Sequence, residues 1–427
     1  MRRKSGINRI LAVIILVIFM LSLTGCYDRR EIDDLAYALA VGLDVGEANT
    51  LRLTLQLALP IAIGSGKEGG SGGGGGEGKS TTIITIDTPS IFSGLNLINN
   101  LVSKEINLSH AKVLIISRKL AEKGVTEYLN GVARGREFRP DIFIVVSNDP
   151  PDKYLENTKP IMESNTSKYF DLLLGNRFSS FYPVIRLDNF YFRNKSDSIQ
   201  PVAIFSQISR YDSTDQLKDA GGERNDDSMK LEGEYIAGEI PVVSEQKVEV
   251  MGMAVFKNGK MVGVAQGLEA ACYQLVTGDY NYSYWTIPDP FDKDKRIIMN
   301  IFQRRKPVIK ADISGDRAAF DINIDIEGDF TSIQSNYNYE EHPEYVEKAF
   351  EALLEEQVSK FLKRTAEEFD SDICGLGKQL KKKFITLEEW NKFDWFDKYR
   401  NSSFNVNVVL KMRRTGLIIR SEEHSGQ

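Results

Sequence analysis

Cysteine and histidine are both scarce in this sequence, with three of each among 427 residues. The histidines His110, His342 and His424 are far apart and share no metal-ligand spacing, so we expect no zinc site. His110 is predicted to be a packed histidine at a strand entry, and His342 to lie near a helix cap. His424 falls in the C-terminal tail.

Recognisable catalytic motifs are also missing. Apart from a formal match at Gly69–Gly73 inside a glycine-rich tract, no Gly-x-Ser-x-Gly nucleophile elbow occurs in the chain. Carboxylates alternate along the predicted strands at Asp312, Asp321, Asp325 and Asp329. This pattern is typical of a solvated sheet face, and nothing distinguishes a general acid from a general base among these groups. We therefore expect no cofactor and no enzymatic activity.

Long hydrophobic runs are absent except at the start of the chain. The apolar run Ile10–Leu23 has 14 residues and follows the basic residues Arg2, Arg3, Lys4 and Arg9. A helix needs roughly 20 apolar residues to cross a bilayer core, so this run indicates a cleaved signal peptide and not a permanent span.

The four residues that end this signal predict its processing. Leu23-Thr24-Gly25-Cys26 resembles the bacterial lipobox, in which small residues precede a cysteine whose sulfur receives a diacylglyceryl group. We predict lipidation of Cys26 and a body tethered to the outer face of a membrane through membrane lipid. The alternative is an ordinary secretory signal followed by an unrelated cysteine.

Charge and the remaining cysteines limit the function further. Removal of the signal changes the formal charge from −6 to −10, which argues against a nucleic-acid partner. The basic run Arg304–Lys306 is interpreted as a solvated strand entrance, with contact to anionic lipid or an acidic partner as the alternative. Cys272 and Cys374 are expected to be two buried thiols, although a disulfide between them stays open.

The first part of the body alternates strands with helices. Strands are predicted at Leu35–Val45, Leu51–Leu59, Thr81–Asp87, Lys112–Ser117 and Asp141–Ser147, and helices at 88–102 and 119–132. The alternation of leucine with other residues in Leu51–Leu59 is typical of a half-buried strand, paired with the first strand as a hairpin. Pro150-Pro151 is expected to close this segment.

A polar stretch, Asp212–Lys230, separates this part from a second one and is predicted to be a mobile loop or linker. Beyond it, strands that should form a second sheet are predicted at Glu249–Lys257, Lys260–Val264, Lys310–Ile313 and Ala319–Ile326, with a final strand at Asn405–Lys411. Gly375 and Gly377 mark a left-handed cap or tight turn.

The strongest helical pattern starts near Pro343. Its apolar residues recur at spacings of three and four and include Val346, Phe350, Leu353, Leu354 and Phe361. This amphipathic face is predicted to pack on the second sheet. Glu351 and Glu355 are placed on the opposite face, which is interpreted as solvated, with a partner-docking face as the alternative.

These patterns together predict an α+β (mixed α/β) fold with mixed or antiparallel sheets, packed helices and two or three domains. The predicted divisions are a signal peptide at 1–25, an N-terminal domain at 26–211, a polar linker at 212–232 and a C-terminal domain at 233–427. Residues 165–211 either belong to the N-terminal domain or form a separate subdomain.

A glycine tract matches two nucleotide-binding patterns. Gly73-x-x-x-x-Gly78-Lys79-Ser80 fits the phosphate loop, and Gly64-x-Gly66-x-x-Gly69 fits the dinucleotide fingerprint. Both patterns need a helix after the glycines, because its N-terminal amides bind the phosphates. The β-branched run Thr81–Ile86 follows instead, so we predict a flexible loop between two strands and no nucleotide site.

Several segments in chain order resemble the Ger(x)C lipoproteins, the C subunits of spore germinant receptors. They are Gly25–Ala36 with Ala40–Asp44, Ser109–Ser117, Gly252–Gly263, Arg304–Pro307, and Asp372–Lys378 followed by Trp390. The chain departs from the family pattern at Tyr27, where Trp is usual, at Ser109 for Gly, and at Cys374 and Leu376 for Phe. Ala265–Asp279 matches less well, with Glu269 as a partial counterpart of the family's glutamate.

The resemblance implies a role in nutrient-triggered germination of endospores, on the outer face of the spore inner membrane. It implies multi-span and soluble-domain receptor subunits as partners, and it supplies no catalytic residues. The competing hypothesis is a solute-binding lipoprotein of a membrane transporter. That class requires two similar lobes around a cleft, and the two halves of this sequence do not repeat.

Overall fold

The computed structural model describes residues 3–22, 31–47, 51–59, 80–135, 137–175, 178–219, 230–289, 295–314, 317–333 and 342–414. Its helices in chain order are α1 (Arg3–Ser22), α2 (Ile91–Ile98), α3 (Arg118–Lys123), α4 (Thr126–Arg134), α5 (Pro151–Glu156), α6 (Thr166–Leu174), α7 (Leu187–Asn194), α8 (Gln216–Asp219), α9 (Gly267–Thr277), α10 (Pro343–Glu367), α11 (Gly377–Lys381), α12 (Leu387–Phe393) and α13 (Trp395–Lys398). Within these ranges no helix has both the length and the apolar character needed to cross a membrane.

The first sheet contains β1 (Leu35–Val45), β2 (Leu51–Ala58), β3 (Thr81–Thr88), β4 (Glu105–Asn107), β5 (Val113–Ser117), β6 (Phe143–Ser147), β7 (Val202–Ile208), β8 (Val248–Lys257) and β9 (Lys260–Ala265). The strand order is β3-β2-β1-β5-β6-β7-β8-β9, with β4 beside β1. The central strands β1, β5, β6 and β7 are parallel, and the pairs at both sides are antiparallel. The predicted hairpin of the first two strands is confirmed.

The description of β2 as half-buried is wrong. Thr54 and Gln56, on its more polar face, are buried together with its leucines. Helix α5 covers this face, where a Cβ on Gly42 would overlap Pro151. The strand is therefore buried on both faces, and the Thr54 hydroxyl forms a hydrogen bond with the Thr85 hydroxyl at 3.0 Å. Sequence alternation cannot show that a second layer covers a polar face.

Helices in the first part differ from their predicted bounds. The helix predicted at 119–132 is two helices, α3 and α4, because Gly124 adopts φ +130° between them. The helix predicted at 88–102 is shorter and spans Ile91–Ile98, capped by the Ser90 side chain. Pro151 does not end the segment but opens α5, where a proline is tolerated in the first turn.

Strands β8 and β9 were predicted to belong to the second sheet, and this assignment is wrong. β8 pairs antiparallel with β7, and β9 pairs with β8, so both extend the first sheet. The alternation of these residues identified the strands correctly. Their partner lies across the polar stretch Asp212–Lys230, and hydrophobic periodicity carries no information on which distant strand will pair.

The second sheet consists of β10 (Tyr282–Pro288), β11 (Arg296–Phe302), β12 (Val308–Ser314), β13 (Arg317–Ile333) and β14 (Ser403–Arg414). β13 is its axis. β12 and β11 pair with successive parts of one side of β13, and β14 runs parallel along the other side. The sequence predicted β12, a shorter β13 and β14, but β10 and β11 were missed. The predicted α+β class is confirmed.

Helix α10 packs its apolar face on this sheet, as predicted. Val346, Phe350, Leu354 and Phe361 are buried, and Leu353 is half-buried against the same core. The helix lies against β14, whose alternate side chains Val408 and Leu410 are buried beneath it.

The glutamates of α10, however, do not form the solvated face that was predicted. The Oε1 atoms of Glu347, Glu351 and Glu355 accept the backbone N–H groups of Met412, Leu410 and Val408 at 2.8, 2.8 and 2.9 Å. These N–H groups belong to the side of β14 that does not pair with β13. We call the three residues the glutamate ladder. Residues four apart on a helix are about one turn apart. That spacing is close to the distance between every second residue of a strand, so each glutamate reaches one N–H group of β14.

We expect Phe361→Ala to destabilise the protein by about 3–5 kcal/mol, because it leaves a cavity in the core under α10. Thermal melts of the purified protein measure the loss. Lys360→Ala, an exposed change on the same turn, is the control. A Phe361→Ala variant that melts with the wild type would contradict the packing.

We expect Glu351→Ala to cost about 1–2 kcal/mol, because the Leu410 N–H loses its acceptor. Glu351→Gln retains a side-chain oxygen and should lose less. Glu356→Ala is the control, since that exposed residue makes only a surface ion pair with Lys360. Equal urea midpoints for Glu351→Ala and Glu356→Ala would show that the ladder does not stabilise the edge.

Candidate functional site

Cys26, the predicted lipidation site, lies outside the described residues. The described body begins at Glu31, and the short turn Ile32–Asp34 leads directly into β1. Leu35 at the start of β1 pairs with Glu105 of β4. A tether at Cys26, as predicted from the sequence, would therefore reach the body at the beginning of β1.

The parallel strands give this end of the body a direction. β1, β5, β6 and β7 all begin at the same side of the first sheet, which we call the amino edge. Leu101, close in sequence to β4, is 75% exposed there. His110 is exposed and packs only the edge of its ring on Tyr37, with centroids 4.6 Å apart. The prediction of a packed histidine is wrong.

The opposite ends of the strands carry buried polar groups with structural roles. Asp44 at the end of β1 accepts hydrogen bonds from the Ser117 hydroxyl and from the Val45 N–H. The Ser117 hydroxyl also accepts the Leu120 N–H at 3.1 Å and so caps α3. This chain of bonds joins β1 to the β5–α3 turn.

Asp372, the first residue of the Asp-x-x-Gly-x-Gly segment, is the most completely coordinated carboxylate in the described chain. It is fully buried and accepts the N–H groups of Gly375, Leu376 and Gly377 at 2.8, 3.0 and 2.7 Å. The indole N–H of Trp395 donates to it at 2.9 Å. Burial raises the pKa of this carboxyl, while the four donors act in the opposite direction.

Both glycines of this segment are required by its geometry. Gly375 has φ +72°, which confirms the predicted left-handed turn. A Cβ on Gly377 would overlap the Trp395 indole nitrogen and approach the Ser198 carbonyl to 2.9 Å. The loop can therefore close on the carboxylate only without side chains at these two positions.

The same segment connects the two sheets. The Gln200 N–H, near the start of β7, donates to the Asp372 carbonyl at 2.8 Å. On its other side, Trp395 packs against Phe320 of β13, with ring centroids 5.8 Å apart. We call Asp372, Gly375, Gly377 and Trp395 the junction knot.

A second connection involves Glu269, in the segment that matched the family least. Glu269 forms a capping box with Gln266 at the start of α9. Its carboxylate also accepts a hydrogen bond from the guanidinium group of Arg364 in α10, at 2.6 Å. It therefore joins α9 to α10, a role that the sequence did not indicate.

The two internal cysteines are free and buried, which confirms the expectation of two thiols. Burial raises the pKa of both Cys272 and Cys374, so neither is a reactive thiolate at neutral pH.

Metal and nucleotide chemistry have little support among the described residues. No group of three or more His, Cys, Asp or Glu in these ranges could hold a metal ion. Both glycine patterns and Lys79 lie outside the described residues, as does His424. β3 directly follows the tract as predicted. His342 is the N-cap of α10, but its side chain makes no capping bond and contacts Glu344 at 3.3 Å.

The outer face of the second sheet is charged and open to solvent. Asp312, Asp321 and Asp325 are exposed and Asp329 is half-buried, so the prediction of a solvated face is confirmed for three of the four aspartates. Arg304 and Arg305 are also exposed and, with Asp325, Glu327 and Lys411, line an open cleft of about 250 Å³. Cations and carboxylates neutralise one another there, as in the ion pair of Arg413 with Glu327 at 2.6 Å.

Two family models match the chain in order. The spore germination protein N-terminal domain matches residues 28–205, and the C-terminal domain described as spore germination B3/GerAC like matches residues 251–416. The chain belongs to the GerAC family of spore germination proteins. The resemblance found in the sequence is thereby confirmed, and the family's C-terminal domain includes the junction knot.

Individual relatives are distant. Spore germination protein KC of Bacillus subtilis (strain 168) is 24% identical over 143 residues, which are 33% of this chain and 34% of that protein. The chain thus matches about a third of that relative's length. The crystal structure of the GerBC protein superposes with a TM-score of 0.51 and 17% identity, covering 87% of this chain and 96% of that one. This likeness concerns the fold.

We expect Asp372→Asn to destabilise the protein by more than about 2 kcal/mol, because an amide nitrogen would face N–H donors that now bind a carboxylate oxygen. Urea unfolding measures the change. Asp397→Asn, an exposed aspartate two residues beyond Trp395, is the matched control. If both variants unfold at the same urea concentration, the junction knot does not hold the sheets together.

Proposed function

We propose that this protein is the lipid-anchored C subunit of a spore germinant receptor, required for nutrient-triggered germination and acting as a non-catalytic assembly or binding component. The observation that carries the proposal is the ordered match of both family domains along one chain. We propose the outer face of the spore inner membrane as its location, and multi-span and soluble-domain receptor subunits as its partners.

The lipid anchor is supported by the sequence before the body. Ile10–Leu23 is a signal-like apolar run, and Leu23–Cys26 has the form of a lipobox. Two acyl chains hold a protein on a bilayer far more firmly than one, since each buried methylene contributes about 0.8 kcal/mol.

The non-catalytic role is supported by what the buried polar groups do. Asp372 of the junction knot accepts backbone and indole donors, each glutamate of the ladder accepts a backbone N–H, and Asp44 accepts the Ser117 hydroxyl. The two sheets also differ in strand number and order, so the described body has no pair of similar lobes. This favours the receptor subunit over a hinged solute-binding lipoprotein.

The tether is tested by Cys26→Ala. We expect an unprocessed or released protein and impaired germination with nutrients, while germination triggered without receptors persists. Thr24→Ala, which keeps the lipobox pattern, is the control and should be processed normally. Equal processing and membrane retention of Cys26→Ala would rule out the anchor.

The partners are tested by purifying the tagged protein from spore membranes. Recovery of a multi-span subunit and a soluble-domain subunit supports the receptor assignment. Recovery of an ATPase with a permease would instead favour the solute-binding alternative.

A further inference from the structure

Two aliphatic side chains project where the chain passes from α11 into the first residue of α12. Ile385 is 93% exposed and Leu387 is 60% exposed. They follow three consecutive lysines, Lys381, Lys382 and Lys383. We call Lys381–Leu387 the tip loop.

The tip loop is held in place by its neighbours. Thr386 and Glu389 form a capping box, and Glu389 also accepts the Ile385 N–H at 3.2 Å. Phe384 packs inward, with its ring centroid 5.3 Å from Trp390 and 5.1 Å from Phe393. The backbone and the flanking aromatic cluster therefore keep the two aliphatic side chains pointing outward.

Two of the three tip-loop lysines form ion pairs, and the third bonds to a neutral side chain. Lys381 pairs with Asp197 at 2.6 Å, and Lys383 pairs with Asp312 at 3.1 Å, both near the surface. Lys382 is exposed and donates to the neutral Gln379 at 2.7 Å. In α12, Lys392 pairs with Glu388 at 2.9 Å.

The tip loop lies at the end of the body where the tether arrives. Asp197, its partner, precedes β7 by a few residues and so stands at the amino edge. β1, which begins just after Glu31, is three strands away in the same sheet. At an interstrand spacing of about 4.8 Å, the starts of β1 and β7 are separated by about 14 Å across the sheet.

We propose that the tip loop docks on an anionic lipid surface, with Ile385 and Leu387 inserted among the acyl chains and the lysines at the headgroups. This inference rests on the proposed function in that a tethered subunit has a bilayer beneath its amino edge. Lysine stems extend along apolar surface while their ammonium groups stay in the polar layer, and juxtamembrane lysines are attracted to anionic lipid. A protein partner fits less well, since protein interfaces are depleted in lysine.

The test places an environment-sensitive fluorophore on Ile385→Cys in the full-length chain with Cys26→Ser. Cys272 and Cys374 are buried, so the introduced thiol is the reactive one. The labelled chain is mixed with preformed vesicles. Only chains that float with the vesicles are read.

We expect a blue shift and brighter emission at Ile385→Cys on vesicles containing phosphatidylglycerol, and less on pure phosphatidylcholine. Met162→Cys is the matched control, because Met162 is 92% exposed. Met162 is also close in sequence to Lys159, whose backbone N–H donates to the Gln246 side chain. Gln246 precedes the start of β8, which lies opposite the end of β7 and therefore on the side of the sheet away from the amino edge. Lys382→Glu should reduce the shift on anionic vesicles, whereas Lys159→Glu, with the same change of charge, should not.

The proposal that the tip loop docks on lipid would be overturned if the emission at Ile385→Cys did not shift. It would also be overturned if the emission shifted equally at Ile385→Cys and Met162→Cys. If the tip loop binds a receptor protein, we also expect no shift on these vesicles, because they contain no other receptor subunit. Equal emission on the two lipid compositions would overturn the choice of an anionic surface. None of these readings requires spores, so they are independent of the germination and processing assays that test the proposed function.

Discussion

The carboxylate of Asp372 satisfies four donors at once, and the relation between the two sheets depends on it. Three donors are consecutive backbone N–H groups of the loop that it closes, and the fourth is the indole of Trp395. The loop touches the entry to β7 on one side, and Trp395 touches β13 on the other. Burial of a carboxylate costs free energy unless the group is fully hydrogen-bonded. The loop and the indole must therefore both be in place around Asp372, and they contact the two sheets.

The second sheet has a related problem at its outer strand. An edge strand presents unpaired N–H groups that can recruit another chain, and proteins usually cover such an edge. Here α10 both covers the edge and supplies carboxylate acceptors to it at one-turn intervals. One helix therefore has two structural faces, an apolar face toward the core and an acidic face toward the strand backbone.

The amino edge combines features with separate structural causes. The parallel order of β1, β5, β6 and β7 brings the start of β1, where the proposed tether would join the body, to the same side as the residues before β7. The ion pair of Lys381 with Asp197 then brings the tip loop to that side. The features of the amino edge are brought together by this topology and not by any continuous stretch of sequence.

The sequence by itself determined the elements whose signals are local. The positions of strands β1 and β2, the apolar period of α10 and the ordered family segments all have a short-range pattern, and each was identified correctly. The burial of Thr54, the sheet to which β8 belongs, and the partners of Glu351 depended on residues far away in the chain. Glutamate at every fourth position is equally compatible with solvent and with a strand edge, because the helix pattern is the same in both cases. Only the tertiary structure placed Leu410 opposite Glu351, and it did so because register and packing between distant segments are set by the whole core.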